Sequence, residues 1–195
     1  MPAFDPILAR QTAESFQLNA DEQTLVSGFV HICEYLAVFP KDLSWTGKGK
    51  PSVNDKGGLE KLATRYFKAY RSSDFPAEPA TIADEMVSVV MREAYGYTEQ
   101  KSASIKIEHQ HSMNAENCVG NLLERYLDSK LRPSDWIWCC GGFVKAIDFI
   151  TKTEKGWLVL QIKNRNNTEN SSSKSIRDGT EIQKWFRSFS KDTKR

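Results

Sequence analysis

The stretch from residue 148 to residue 163 constrains the fold of this chain more than any other, because its pattern is that of a β-hairpin. Residues 157–163 are apolar and rich in strand-forming types, and Gly156 before them is a turn residue. Residues 144–150 have the same character and supply a first strand. The sequence therefore predicts two antiparallel strands joined by a short turn around residues 154–155.

One face of this hairpin carries three polar side chains. Side chains alternate between the two faces of a strand, so Gln161 and Lys163 share a face. Two registers are open: a turn at residues 154–155 sets Asp148 opposite Gln161, and a turn moved by one residue sets Asp148 opposite Lys163. In both registers the three side chains lie together on one face of an otherwise apolar hairpin.

These three side chains match the needs of metal-dependent phosphodiester hydrolysis. A carboxylate and an amide carbonyl suit a hard divalent ion such as Mg²⁺, which takes oxygen ligands. A lysine two residues further on can orient or deprotonate a water held by that ion and offset developing charge. The simpler interpretation is an ion pair between Asp148 and Lys163, with Gln161 on a solvated face, and it would be favoured for an isolated hairpin.

Charge is distributed unevenly along the chain. Residues 161–195 hold nine Lys/Arg against four Asp/Glu, a net charge of +5, whereas residues 1–160 hold 18 basic and 21 acidic residues, a net charge of −3. A positive field beside a metal site suits a polyanionic substrate such as nucleic acid. A solvated, lysine-rich C-terminal helix would give the same count, so charge alone is weak support.

The remaining composition is that of an ordinary globular protein, and 195 residues support one domain with a sizeable core. No apolar run reaches the length of a membrane span and the N-terminus has no secretory pattern, so we expect the cytoplasm. Cys139 and Cys140 are interpreted as small buried hydrophobes. A zinc site formed by His109, His111 and Cys118 is an alternative, although the spacing fits no structural zinc pattern.

Three amphipathic helices are predicted in the first half of the chain. One is capped by Asn19 or Asp21 and runs to about Phe39, a second covers residues 58–72, and Thr81 caps a third. They are interpreted as structural, with a dimer surface as a second possible use. The inward residues of the first two are predicted to be Leu25, Phe29, Ile32, Cys33, Leu36, Leu59, Leu62, Tyr66, Phe67 and Tyr70.

A fourth helix is predicted over residues 114–131, after a segment that the pattern does not place. Glu116, Gly120 and Glu124 follow at four-residue intervals and share a face. Gly120 lowers helix stability, which indicates close packing at that position. A last helix is predicted over residues 180–190, and its inward residues are predicted to be Ile182, Trp185, Phe186 and Phe189. The residues predicted to be buried on the fourth helix are Val119, Leu122, Leu123, Tyr126, Leu127 and Leu131.

A polar segment directly follows the second strand of the hairpin. It is dense in amides, hydroxyls and cations, which are the groups that read bases and hold phosphates. A flexible linker would have the same composition, but the position next to the reactive strand favours contact with substrate. The candidate DNA-binding residues, which continue into the last predicted helix, are Asn164, Arg165, Asn167, Asn170, Ser171, Lys174, Arg177, Lys184 and Arg187.

The order of these polar residues resembles the PD-(D/E)XK nuclease superfamily. Glu124 matches the helix acid of that pattern, with Glu116 as second choice, and Asp148 matches the strand aspartate. Gln161 replaces the second acid, as in the Gln-x-Lys variants, and Lys163 matches the lysine. The resemblance implies an α/β fold in which a mixed β-sheet is flanked by helices.

Several longer stretches of the chain carry a more specific pattern, including Glu108-His-Gln-His-Ser-Met, Leu123-Glu-Arg-Tyr-Leu-Asp-Ser, Val144-Lys-Ala-Ile-Asp-Phe-Ile, Gln161-Ile-Lys-Asn-Arg and Lys184-Trp-Phe-Arg-Ser-Phe-Ser-Lys. In these stretches the chain resembles the SinI family of type II restriction endonucleases, and the resemblance covers roughly residues 80–191. It implies one nuclease domain over residues 1–195, with a mainly helical part at 1–97 and the catalytic core and DNA-binding segment at 114–195.

This resemblance implies a homodimeric, Mg²⁺-dependent enzyme that cuts double-stranded DNA at GG(A/T)CC. It also implies a cytosine methyltransferase that protects the host DNA. The metal ligands would be Asp148, the Gln161 side chain and the Ile162 main-chain carbonyl. Two alternatives stay open: an inactive or truncated DNA-binding protein, since Gln161 is neutral and the family is expected to continue beyond Arg195, and a nuclease of another target, such as a repair or Mrr-like enzyme.

Overall fold

The computed structural model describes residues 3–46, 48–72, 84–164 and 179–187. Within these ranges, helices are followed by a β-sheet, which confirms the α/β class. The chain divides into two compact units: a first unit of Met1–Ser72 with Leu127–Arg195, and a second unit of Ser73–Tyr126. The helices are α1 (Pro6–Glu14), α2 (Ala20–Gln23), α3 (Leu25–Val38), α4 (Lys56–Arg71), α5 (Glu85–Tyr95) and α6 (Glu99–Leu131), and the strands are β1 (Ile137–Trp138), β2 (Phe149–Thr153), β3 (Gly156–Asn164) and β4 (Gln183–Arg187).

The predicted helix from Asn19 to about Phe39 is confirmed, but it is divided in two. Asn19 caps α2 by accepting a hydrogen bond from the main chain of Glu22, whose carboxylate accepts one from Asn19 in return. Thr24 then separates α2 from α3. All five predicted inward residues of α3 are buried, so this helix forms part of the core.

The second predicted helix, α4, is also confirmed. Asp55 caps it by accepting a hydrogen bond from the main chain of Gly58. The rings of Tyr66 and Phe67 pack on Phe29 of α3, with 5.7 and 6.3 Å between ring centres. Because burying one aromatic side chain contributes about 1.5–3 kcal/mol, this contact is a main source of stability in the first unit.

The sheet has the order β1-β2-β3-β4 and is mixed, because β3 and β4 run parallel whereas the other neighbours are antiparallel. The predicted hairpin is confirmed. Thr153 pairs with Gly156 and closes a two-residue turn. This register places Asp148, just before β2, opposite Gln161, which is the first of the two predicted registers.

β2 begins later than the predicted strand, which started at residue 144. Ala146 has a φ of +57°, in the left-handed region, and turns the chain away from the extended conformation. Val144 instead forms an isolated antiparallel bridge with Leu43. The segment that leads into β2 therefore lies beside Leu43, in the loop after α3, and turns at Ala146 just before Asp148.

β1 is also shorter than the predicted strand over residues 136–140, since it comprises only Ile137–Trp138. Cys139 and Cys140 follow it, and both are buried, as predicted. All four cysteines are free thiols.

The prediction of a helix over residues 180–190 is wrong for residues 183–187, which form β4. The apolar spacing fits a helix, but aromatic residues also favour strands, and a short segment does not distinguish the two periods. Pairing with β3 satisfies the main-chain groups of both strands, which decides the outcome. Trp185 is 41% exposed rather than inward, whereas Ile182 packs on the core; Phe189 lies outside the described residues.

In the second unit, α5 is capped by Asp84, whose carboxylate accepts a hydrogen bond from the main chain of Met86. The predicted cap, Thr81, lies outside the described residues. α5 ends at Gly96, which adopts the left-handed conformation that glycine favours at helix ends. Across the described parts of both units, no helix has the length and apolar character needed to cross a membrane.

α6 is one helix of 33 residues and includes the segment that the sequence pattern did not place. The prediction that Val119, Leu122 and Tyr126 are buried is wrong, because they are 42%, 50% and 60% exposed. The expected close packing at Gly120 is also wrong: a Cβ there would meet no described atom within 4 Å. Helical spacing predicts that a helix has an apolar face, but it does not show what covers that face.

Candidate active site

Asp148 is held at the start of β2 by three hydrogen bonds. Its main-chain N–H donates to the carbonyl of Leu160 at 2.9 Å, and its carbonyl accepts from the N–H of Cys139 at 2.8 Å. Its carboxylate oxygen Oδ2 accepts from the main-chain N–H of Ile162 at 2.6 Å. Backbone and side chain are therefore fixed by both neighbouring strands.

The main chain of Ile162 faces the Asp148 carboxylate because β2 begins at Phe149, which pairs with Leu160, so no residue of β2 pairs with Ile162. The N–H and C=O of one strand residue point towards the same neighbouring strand. Since the Ile162 N–H donates to Asp148, its carbonyl faces the same side. The left-handed turn at Ala146 takes the chain away from this position, and no turn residue in the sequence predicts it.

Gln161 and Lys163 lie on the face of β3 that packs towards the helices. Trp157 and Val159 precede them on this face; Trp157 meets the ring of Tyr35 on α3 edge-on, with 5.5 Å between ring centres. Val159 and Gln161 are both 7% exposed, and Lys163 is half-buried. The interpretation that Gln161 lies on a solvated face is therefore wrong.

The ion pair expected from the simpler interpretation is absent as well. Asp148 and Lys163 are both described, and no salt bridge joins them. Burial raises the pKa of Asp148, while the hydrogen bond from Ile162 and the charge of Lys163 act in the opposite direction. A half-buried carboxylate whose charge is only partly compensated is a favourable place for a cation.

The oxygen donors around Asp148 fit Mg²⁺ in number and type. They are the carboxylate, the side-chain carbonyl of Gln161 and the main-chain carbonyl of Ile162. Mg²⁺ keeps several waters and binds proteins through one or two carboxylates together with substrate phosphates, so a single acid is sufficient in this kind of site.

A zinc site does not emerge from the described residues. They contain no group of three or more His, Cys, Asp or Glu side chains placed to hold a metal ion. His109 and His111 lie on α6, where residues two apart are separated by roughly 200° around the helix and do not share a face. Both are exposed.

The two candidate helix acids, Glu116 and Glu124, lie on α6 within the second unit, whereas the strand residues lie in the first. Glu116 is exposed and Glu124 is half-buried. They are eight residues apart and therefore share a helix face, as predicted.

Comparison with known proteins decides the family. Residues 9–195 match the SinI restriction endonuclease family. This chain belongs to the SinI restriction endonuclease family. It is 46% identical to the type II restriction enzyme Eco47I of Escherichia coli over 178 residues, which cover 89% of this chain and 77% of that protein. It is 41% identical to the type II restriction enzyme SinI of Salmonella infantis over 187 residues, covering 94% of this chain and 79% of that protein.

Three of the candidate DNA-binding residues of this SinI-family chain lie at the end of β3 and along β4. Asn164 ends β3 and pairs with Arg187 of β4, and Lys184 pairs with Gln161. β4 therefore places two of the basic positions beside the strand that carries Gln161 and Lys163. The other candidates lie outside the described residues: Arg165, Asn167, Asn170, Ser171, Lys174 and Arg177.

Proposed function

We propose that this chain is a type II restriction endonuclease that hydrolyses phosphodiester bonds of double-stranded DNA with Mg²⁺ and that its target is GG(A/T)CC. Membership of the SinI family supports the reaction class. The observation that carries the assignment of the site is the Asp148 carboxylate, bound to the Ile162 N–H, with Gln161 and Lys163 on either side of Ile162 along the strand. The target is supported only by the family resemblance.

Asp148, Gln161 and the Ile162 carbonyl would hold the metal ion. A bound Mg²⁺ polarises phosphate oxygens and lowers the pKa of a bound water. The Ile162 N–H keeps the Asp148 carboxylate in one orientation, which fixes where its second oxygen is directed. Burial of Gln161 limits the movement of its side chain.

Lys163 acts as the cation of the site. Its ammonium group positions the attacking water and offsets the negative charge that develops on the phosphate in the transition state. Glu124 is the proposed helix acid, acting through water or through a second ion, and Glu116 is the alternative. The segment from Asn164 to Lys174, with Arg177, Lys184 and Arg187, holds phosphates and reads bases.

The active form is proposed to be a homodimer, because GG(A/T)CC reads the same on both strands and two copies are needed to cut them symmetrically. Exposed apolar side chains on α5 and α6 support a second copy as the partner of these helices; they are Met86, Val87, Val90, Ile107, Met113, Val119 and Leu122. Sedimentation analysis should give twice the chain mass, and Leu122→Asp should lower it. A monomeric wild-type protein would contradict the dimer.

The protein is proposed to act in the cytoplasm beside a cytosine methyltransferase that modifies the same sequence. This pairing is required because unmodified host DNA carries the target. No direct contact between the two proteins is proposed.

The deciding experiment is digestion of unmethylated plasmid DNA in Mg²⁺ and in EDTA, followed by sequencing of the ends. Discrete fragments that depend on Mg²⁺ and end at GG(A/T)CC are expected. Cutting at another sequence would replace the target. Salt-sensitive binding without cutting would favour the second candidate, an inactive DNA-binding protein, which the neutral Gln161 at an acid position makes a real alternative.

A further inference from the structure

A second basic segment lies in the helical part of the first unit. Residues 41–72 hold eight Lys/Arg and three Asp/Glu, a net charge of +5, which equals that of residues 161–195. The rest of the chain holds ten basic and eighteen acidic residues. Positive charge is thus concentrated in two segments that are far apart in sequence.

Four lysines of this segment lie on, or in a loop against, one face of α4. Lys61 and Lys68 are seven residues apart and lie on one side of the helix, opposite its buried residues. The Lys61 ammonium contacts the carbonyl of Gly49 at 3.5 Å, which places the loop with Lys48 and Lys50 against the helix. All four lysines are exposed.

Arg65 connects this face of α4 to the segment before Asp148 by a hydrogen bond to Gly141. Its Nε donates to the carbonyl of Gly141 at 2.6 Å, and its guanidinium lies 5.1 Å from the centre of the Trp45 ring. Arg65 is half-buried and is therefore a support for the surrounding lysines.

The same region continues to Lys145, close to the catalytic aspartate. The main-chain N–H of Lys145 donates to the carbonyl of Asp42 at 2.7 Å, so residues 143–145 run beside the loop after α3. Lys145 is exposed and precedes Asp148 by three residues. Because a chain spans at most ~3.6 Å per residue, their Cα atoms are within about 11 Å of each other.

The three acidic residues of residues 41–72 each interact with a group other than the ridge lysines. Asp42 accepts a hydrogen bond from the Tyr35 hydroxyl at 2.5 Å, Asp55 caps α4, and Glu60 lies 3.9 Å from Lys56. Among the described residues, no salt bridge involves the five exposed lysines of the ridge, which are Lys48, Lys50, Lys61, Lys68 and Lys145. Their charge is therefore available to a polyanion.

We propose that this basic ridge, made of those five lysines, binds the phosphate backbone of duplex DNA beside the bond that is cut. This inference rests on the proposed function, which supplies DNA as the polyanion. The ridge contributes affinity without base specificity, because isolated ammonium groups contact phosphates as point charges. In sequence it is separate from the segment after β3, which carries the candidate base-reading residues.

The test compares two double variants with equal loss of charge. Lys50→Gln with Lys61→Gln removes two ridge lysines; Arg10→Gln with Lys155→Gln removes two exposed cations of the first unit outside the ridge. Fluorescence anisotropy with a labelled duplex, in EDTA to prevent cutting, gives Kd between about 50 and 200 mM salt. Each lost phosphate contact should lower the slope of log K against log salt by about 0.9 and weaken binding roughly tenfold near 0.1 M salt.

In the ridge variant, the slope of log K against log salt is expected to fall by the amount for about two phosphate contacts, equally for target and non-target duplexes. The control variant is expected to keep the wild-type slope. Equal losses in both variants would reduce the effect to net charge and overturn the ridge. If the ridge variant keeps the wild-type affinity and salt slope, the ridge does not bind DNA. Mg²⁺-dependent cutting by the wild-type protein would still support the proposed function in that case. Wild-type binding without Mg²⁺-dependent cutting would overturn the proposed function, and the two slopes would still decide the ridge. Thermal unfolding of each variant checks that it is folded.

Discussion

Buried and half-buried acids in the first unit fall into two kinds, and Glu22 and Asp148 show the contrast. Glu22 is 3% exposed and is paired with Arg71, whose Nε lies 2.6 Å from its carboxylate. The hydrogen bond from Arg71 outweighs burial and lowers the pKa of Glu22. Among the described residues, the groups that compensate the Asp148 carboxylate are the main-chain N–H of Ile162 and the more distant charge of Lys163, and burial raises the pKa of Asp148.

Asp128 resembles Glu22, because it is also buried and paired with an arginine. It is 5% exposed and forms a salt bridge with Arg132, which also donates to the hydroxyls of Thr24 and Tyr70. Where an acid has a structural role, the fold supplies a guanidinium group as its partner. At Asp148 compensation is incomplete, and this is the arrangement expected where a metal ion completes the site.

The largest expected effect is that of Asp148→Asn. Cleavage should fall by at least about 10³-fold, because the only carboxylate among the proposed metal ligands becomes a neutral amide. Stability without metal should be unchanged or higher at neutral pH, because a poorly compensated charge is removed. Single-turnover cleavage and urea unfolding measure the two quantities. Wild-type cleavage by this variant would remove Asp148 from the site.

Lys163→Ala should reduce cleavage by roughly 10²–10⁴-fold, the range for loss of a residue that handles a proton or a developing charge. DNA binding should stay within a few-fold of wild type, since the segment after β3 and β4 are intact. Lys155→Ala, at the turn of the same hairpin, is the matched control and should cut normally. Equal loss of binding and cutting at Lys163 would instead assign this residue to DNA affinity.

Arg132→Ala should act on stability and not on chemistry. It leaves Asp128 buried without its partner and should destabilise the first unit by about 2–3 kcal/mol. This is less than the roughly 3–5 kcal/mol seen for fully buried pairs, because Arg132 is 31% exposed. Urea unfolding measures the loss, and cleavage per folded molecule should be unchanged at low temperature. A double variant with Asp128→Asn and Arg132→Gln should recover part of the loss; no recovery would contradict an unpaired charge as the cause.

The contrast between these acids was only partly predictable from sequence. The strand period of two and the short turn before Gly156 limited the hairpin to two registers, and the structure has the one that sets Asp148 opposite Gln161. The hydrogen bond from Ile162 and the left-handed Ala146 depend on where the chain turns before β2. Residue type alone does not report that turn, because alanine rarely adopts a positive φ.

Tertiary context also explains the incorrect helix predictions. The segment around Trp185 pairs with β3 and forms a strand, although its apolar spacing fits a helix. Leu122 has the spacing of a core residue but is 50% exposed. In both places the local pattern was recognised, and the partner of the apolar face was not contained in it.

The smallest expected effect is the opposite pH dependence of the two kinds of acid. The pKa of Glu22 is lowered below 4.5, so its stabilising contribution is present above its unfolded-state pKa and is lost as the pH falls through the folded-state value. Glu22→Gln should therefore lower the free energy of unfolding by about 1 kcal/mol at neutral pH and by less in acid.

The pKa of Asp148 is raised, so its unfavourable contribution to stability appears as the pH rises through the folded-state value. Asp148→Asn should therefore gain stability relative to wild type with rising pH in metal-free urea unfolding. Differences that follow the same direction for both variants would show that Asp148 is compensated like a structural acid, and the metal site would lose its electrostatic support.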